Sequence, residues 1–274
     1  MVMTGADMRQ ILLHPGFHKT GTSSIQHFLW VNREALEPYF DLRMFRHRKP
    51  VVRLTSLFSR THSPLDLVDM VGLLDDVFDE FPVRDDRDLL ISCEGLAGQL
   101  PGSPQVQDYE ATQILMTYVT GYLATKFPDA QVKLIFTTRD ADDWLFSCYR
   151  HHLRGHRMTL DYKSYAAAFR SASNLMAVVT QAAEGIAPVP VLFVPFEDAI
   201  RHPMGPGAVL VDQMSVPDNV RAGLTPVGIG NKGPDEELWT KFLTLNRSNL
   251  PDRVIANQKN ELAEAANLGG WKAK

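Results

Sequence analysis

The densest grouping of reactive residue types lies near the amino terminus, at Ile11-Leu12-Leu13-His14-Pro15-Gly16-Phe17-His18-Lys19-Thr20-Gly21-Thr22-Ser23-Ser24. A short apolar run passes into a loop with two glycines, one lysine and four hydroxyl side chains. It then enters the helical pattern Ile25-Gln26-His27-Phe28-Leu29. Glycines let successive N–H groups converge on one point, and a helix start adds unbonded N–H groups and the positive end of its dipole. Lys19 adds a mobile full charge, so the grouping suits a phosphate or sulfate. Its order differs from the nucleotide-hydrolase loop G-x-x-x-x-G-K-[ST], because Lys19 precedes Gly21 by two residues instead of following glycine directly. A plainer reading is a glycine turn carrying a surface lysine. A second grouping is Lys133-Leu134-Ile135-Phe136-Thr137-Thr138-Arg139-Asp140, a strand pattern ending in a charged pair. Arg139 stands at the strand's carboxyl end, where α/β folds place ligands. Ser147 follows eight residues later, about two helical turns into the next segment. An arginine fork and a hydroxyl suit a terminal phosphate. Alternatively, Asp140 caps the helix and Ser147 merely lies on its face.

Elements of alternating type must hold these residues. Four short apolar runs read as buried strands: Ile11 to Leu13, Leu89 to Ile91, Val132 to Thr138 and Val189 to Val194. None alternates cleanly, as expected for parallel strands covered on both faces. Between them, the apolar set Ile114, Leu115, Tyr118, Val119, Tyr122, Leu123 predicts a helix from Tyr109. The set Tyr165, Phe169, Ala172, Leu175, Met176, Val179 predicts another from Tyr162. Two C-terminal helices are expected at Asp235 to Leu245 and Asp252 to Ala266, with Gly269-Gly270 as a stop. The segment from Asp41 to Arg60 reads as a polar, irregular connection, or as a basic rim for an anionic acceptor. The expected fold class is α/β, a three-layer sandwich around a central parallel sheet, in a single domain over residues 1–274.

Composition narrows the function classes. Lys and Arg total 28 against 32 Asp and Glu, a formal net charge of −4, which disfavours nucleic-acid binding through bulk charge. Hydrophobic residues at 45% and charged residues at 22% are ordinary for a globular chain and argue against disorder. Cys93 and Cys148 are too few for a disulfide framework and point to a reducing compartment. No apolar run approaches the ~20 residues of a membrane span, and the amino terminus lacks a signal-peptide pattern. The expectation is a soluble, cytoplasmic protein; oligomeric state has no signal in the sequence.

The loop His14-Pro15-Gly16-Phe17-His18-Lys19-Thr20-Gly21-Thr22-Ser23-Ser24-Ile25-Gln26 resembles the 5′-phosphosulfate loop of sulfotransferases that use 3′-phosphoadenosine 5′-phosphosulfate (PAPS). It is similar to the form H-x-G-x-x-K-T-G-T-[ST]-S-[IL]-Q common in bacterial members. Arg139 and Ser147, eight residues apart, resemble the family's 3′-phosphate motif. Asn231-Lys232-Gly233 resembles its late basic–lysine–glycine loop, with asparagine in place of the usual arginine, so only Lys232 and Gly233 carry over. Phe196-Glu197-Asp198 resembles a structural strand-end motif.

The resemblance implies a P-loop-like sulfotransferase fold and transfer of a sulfuryl group from PAPS to a hydroxyl or amine acceptor. Adenosine 3′,5′-bisphosphate (PAP) would be the product, and no metal would be needed. It implies cofactor contacts at Gly16, His18, Lys19, Thr20, Gly21, Thr22, Ser23, Arg139, Ser147, Lys232 and Gly233. Lys19 would stabilise the leaving phosphate. Glu94, ending the strand Leu89 to Cys93, resembles the strand-end glutamate of carbohydrate-type members and is the foremost general base; capping a helix or pairing with an arginine is its other reading. His18 and His151 are the alternative bases. The run His151-His152-Leu153-Arg154-Gly155-His156 otherwise reads as an exposed polar helix end, and His14 as a packed strand-end residue. A carbohydrate or other small hydroxylated acceptor is the expected partner. The rival functions are a kinase of the phosphate-loop class and a non-catalytic nucleotide-binding protein.

Overall fold

The computed structural model describes residues 8–45, 50–80, 83–84, 86–228, 230 and 233–268. In chain order the elements begin with β1 (Arg9–His14), α1 (Thr22–Val31), α2 (Arg33–Leu36), β2 (Phe40–Phe45), α3 (Pro50–Thr61) and α4 (Pro64–Glu80). They continue with β3 (Asp88–Cys93), α5 (Ala111–Lys126), β4 (Ala130–Thr138), α6 (Ala141–Gly155), α7 (Tyr162–Phe169) and α8 (Leu175–Gly185). The last are β5 (Val191–Pro195), α9 (Phe196–Ala199), α10 (Ala208–Val211), α11 (Asp218–Ala222), α12 (Glu236–Arg247) and α13 (Asp252–Ala265). The five strands form one sheet in the order β2-β3-β1-β4-β5, and every neighbouring pair is parallel. The expected α/β class, with a parallel sheet between helical layers, is what the chain forms.

Side-chain alternation along the central strands builds the layers. Ile11 and Leu13 of β1, Leu89 and Ile91 of β3, and Leu134 and Phe136 of β4 enter one core with α3 to α8. Their intervening neighbours Leu12, Leu90 and Ile135 enter a second core with Ile25, Phe28 and Leu29 of α1 and with Leu210 and Val211 of α10. Thus α1 leaves β1 towards one face of the sheet, while α5 and α6 cover the other. In parallel α/β sheets, ligands bind beyond the carboxyl ends of strands where connections diverge in this way.

Several expectations need correction. The segment from Asp41 to Arg60 contains all but the first residue of the edge strand β2 and most of α3, with residues 46–49 outside the described set. Its polar residues misled because Asp41, though buried, is satisfied by Arg84 at 2.6 Å, and an edge strand pairs on one side only. The helical pattern from Tyr162 divides into α7 and α8 around a 3₁₀ turn at Ser171–Ser173. There the Asn174 side chain accepts from the Ala177 N–H and starts α8 afresh. Helices α12 and α13 lie where expected, with the Asp235 carboxylate capping α12; Gly269-Gly270 lies outside the described residues. No helix among the described residues is long and apolar enough to cross a membrane.

Candidate anion-binding site

Three strand ends supply the site. After β1 the chain turns sharply at Gly16 (φ 51°), Lys19 (φ 67°) and Gly21 (φ 91°) before entering α1. The left-handed conformation costs glycine little, and alternation with right-handed residues makes a concave N–H nest. A Cβ on Gly16 would stand 3.3 Å from the Glu94 Cα, so the loop lies against the end of β3. Main-chain bonds fix that approach: the Gly95 N–H donates to the Gly16 carbonyl at 3.2 Å, and the Ala97 N–H to that of Pro15 at 3.3 Å. From the other side, Trp144 Nε1 of α6 donates to the His18 carbonyl at 3.0 Å. Arg139 Nη1 donates to the Lys19 carbonyl at 3.2 Å. Lys19, Glu94 and Arg139 therefore meet at one edge of the sheet.

The loop's hydroxyls divide by role. Thr20 is fully buried, donates to the Phe17 carbonyl at 2.8 Å and contacts the Thr137 hydroxyl at 2.9 Å. Thr22 is also buried and reaches the Phe17 carbonyl at 3.3 Å. These two side chains brace the loop, and Ser24 accepts from the Gly230 N–H at 3.1 Å. Ser23 is exposed. What the start of α1 offers an anion is the N–H groups of Thr22 and Ser23, since that of Ser24 already donates to the Gly21 carbonyl at 2.9 Å. Behind the loop, His14 is fully buried, with Nδ1 3.0 Å from the Ser92 hydroxyl and Nε2 3.3 Å from that of Thr137. Burial lowers its pKa to about 4, so it remains a neutral strut.

Gly21 is the tightest point. A Cβ there would stand 2.2 Å from Cε2 of Phe196, the first residue of α9. Gly21→Ala therefore combines a disfavoured φ with a clash. We expect it to cost about 1–3 kcal/mol in calorimetric unfolding and to abolish anion binding at the loop. Adding Phe196→Ala should recover part of the stability but not the loop geometry.

The electrostatics of the edge are unusual. Burial lowers the Lys19 pKa, with Arg139 and Arg150 acting in the same direction and Cys148 and Glu94 opposing. Glu94 is half-buried, and burial raises its pKa above the ordinary 4.5, opposed by Lys19. No described residue makes an ion pair with Lys19, Arg139 or Arg150, and none hydrogen-bonds the Glu94 carboxylate. Among the described residues, Glu94 consequently caps no helix and pairs with no arginine. Nε of both Arg139 and Arg150 is buried without a hydrogen-bond partner. Cationic side chains without a carboxylate partner beside a helix N-terminus suit an anion, and an unpaired carboxylate beside them suits a group with a proton to give.

The remaining expected site residues fall around this edge. Ser147 is buried on α6. Gly233 lies against Arg150, whose Cζ would be 3.0 Å from a Cβ added to the glycine. Lys232 is outside the described residues. The His18 ring packs on Gly95, with Cε1 and Nε2 at 3.4 and 3.5 Å from a Cβ position there. His151 is exposed. His152, expected at an exposed helix end, is instead fully buried, with Nδ1 3.0 Å from the Tyr165 hydroxyl. Burial lowers its pKa to about 3. Among the described residues no group of His, Cys, Asp and Glu is arranged to hold a metal ion. Asp140 caps α6, accepting from the N–H groups of Asp142 and Asp143 at 2.9 and 3.2 Å. Its own N–H donates to Glu197 at 3.1 Å. Arg139 also lines an open cleft of about 700 Å³ whose other walls include Arg170, Ser173 and Asn174.

Sequence reasoning missed Arg150, and it gave Phe196 only a structural place at a strand end. Phe196 covers Gly21 and stacks under Arg139, whose Cζ is 5.4 Å from the ring centroid. Arg150 sits three residues beyond Ser147, one helical turn along the same face, and that spacing was the available signal.

No protein-family model matches the chain, and no curated protein matches it. Among solved structures it is similar to a sulfotransferase from Alicyclobacillus acidocaldarius, at 17% identity and a TM-score of 0.44. That likeness covers 94% of this chain and 95% of the other.

Proposed function

We propose that the chain is a sulfotransferase that moves the sulfuryl group of PAPS to a hydroxyl or amine acceptor, a carbohydrate or other small hydroxylated molecule, by in-line displacement. The observation that carries this reading is the meeting of Lys19, Arg139 and the α1 N-terminus at one sheet edge, unpaired with any carboxylate among the described residues. Glu94 stands beside them with no hydrogen bond to its carboxylate from that same set. PAPS supplies an activated sulfuryl group and leaves as PAP. The loop N–H groups and Lys19 hold and neutralise the 5′-phosphate as its bond to sulfur breaks. Arg139 and Ser147 hold the 3′-phosphate. Glu94 takes the acceptor proton while the new oxygen–sulfur or nitrogen–sulfur bond forms.

A phosphate-loop kinase would need an acidic residue after β4 free to serve a metal-bound nucleotide. Asp140 is committed to capping α6. Thermal-shift titration tests the reading: PAP should raise Tm at concentrations where ATP with magnesium does not. The reverse preference would transfer the protein to the kinases. Stabilisation by PAP without sulfuryl transfer to any of a panel of hydroxylated and amine acceptors would favour a non-catalytic binder. Arg139→Ala should weaken PAP far more than adenosine 5′-phosphosulfate, which lacks the 3′-phosphate. Equal losses for the two ligands would remove Arg139 from the role of 3′-phosphate reader.

A further inference from the structure

Arg139 and Arg150 are mounted in the same way. Each gives Nη1 to a main-chain carbonyl of a flanking loop: Arg139 to Lys19 at 3.2 Å, Arg150 to Pro234 at 3.1 Å. Each lies over an aromatic ring, Arg139 at 5.4 Å from Phe196 and Arg150 at 4.5 Å from Phe146. Each keeps a buried Nε without a partner, and neither pairs with a carboxylate among the described residues. Arg139 leads into α6, and Arg150 stands on that helix one turn beyond Ser147. Burial lowers the Arg150 pKa, Arg139 lowers it further and Asp143 opposes.

An arginine held for structure alone spends its donors on protein acceptors, because a buried unbonded donor on a charged group is costly. Here Nη1 of each guanidinium is held by a main-chain carbonyl, and no described carboxylate neutralises either charge. Two like charges gathered in this way repel until an anion of higher charge lies between them. The complement is a phosphate monoester, which carries close to two negative charges and three terminal oxygens. A phosphodiester or an internal phosphate has fewer of both.

We infer that Arg150 is a second phosphate-reading residue, which together with Arg139 grips a single terminal phosphate monoester of the bound nucleotide. The inference rests on the proposed function in taking that group to be the 3′-phosphate of PAP. It goes beyond that reading in giving the dianion two forks rather than one, and in seating the second fork against Gly233 and Pro234.

Isothermal titration of the full chain with PAP and with adenosine 5′-monophosphate, which lacks the 3′-phosphate, tests this. The readout is the ratio of the two affinities, which a partly unfolded variant leaves unchanged because both ligands report on the same folded molecules. Arg150→Ala should reduce that ratio by roughly 10–100-fold, the range for losing hydrogen bonds to a charged group. Arg150→Lys should restore only a minor part, since an ammonium lacks the planar fork. The double variant Arg139→Ala/Arg150→Ala should lose less than the product of the two single losses, because both forks hold one group. If Arg150→Ala keeps the wild-type ratio while Arg139→Ala lowers it, Arg150 is only an anchor for Pro234: the inference falls and the proposed function stands. If the wild type itself does not prefer PAP over the monophosphate, both fall.

Discussion

Lys19→Ala should lower kcat by roughly 100- to 1,000-fold, the loss typical of removing one preorganised group that stabilises developing charge. PAP affinity should fall much less, because the loop N–H groups and the two arginines remain. The split follows from the position of Lys19. It is part of the nest's backbone through its φ of 67° and its carbonyl, which accepts from Arg139. Its ammonium makes no ion pair among the described residues and is free to follow charge appearing on a leaving oxygen. A second consequence concerns Glu94, whose burial-raised pKa is held down in part by Lys19. Without that charge the pKa rises further, so the acid limb of the residual activity should move to higher pH. Steady-state kinetics across pH would show both effects. Transfer within threefold of the wild type, with an unmoved acid limb, would remove Lys19 from the chemistry.

The strand ends were readable because each couples an apolar run to one abrupt polar residue. Unbroken apolar runs favour strands covered on both faces, and Ile11 to Leu13, Leu89 to Ile91 and Val132 to Thr138 are central strands that bring Lys19, Glu94 and Arg139 out near one edge. The fourth run, Val189 to Val194, falls instead in the edge strand β5, with Phe193 exposed. What was not readable depends on partners distant in sequence. Strand β2 was hidden because Asp41 and Arg43 look like loop residues until Arg84, 43 residues beyond Asp41, satisfies the aspartate. Arg150 was hidden in the polar run Tyr149-Arg150-His151-His152. Its meaning comes from Pro234, 84 residues away, and from an Nε that nothing local fills. His152 shows the opposite error: its neighbours are polar, but Gly102 and Tyr165 close over it. Local pattern places a residue on an element; only tertiary packing decides which donors are left over.

Glu94→Gln should leave PAP affinity within about threefold and lower kcat by roughly 100- to 10,000-fold, the range for general acid–base catalysis. The carboxylate has no hydrogen bond or ion pair to lose among the described residues, so the near-isosteric amide disturbs no described contact. The pH behaviour separates a base from a structural carboxyl. Burial raises the Glu94 pKa above 4.5, so the folded state holds a proton that the unfolded state releases. The stabilising contribution is therefore present at low pH and lost as pH rises through the folded pKa. At neutral and higher pH the wild type carries a partly buried charge that the glutamine variant does not. Glu94→Gln should accordingly melt at or above the wild-type temperature there, while turning over far more slowly. The acid limb of kcat/KM should lie above the ordinary glutamate pKa in the wild type and vanish in the variant. Initial rates must be taken where the fold persists, since His14 and His152, neutral in the fold down to about 4 and about 3, cost stability as pH drops below their ordinary 6.5. A glutamate that merely supported the loop would give the opposite pair of results, a lower Tm and an unchanged pH profile of the remaining activity. That outcome would pass the role of base to His18, packed on Gly95 beside the same loop, or to His151.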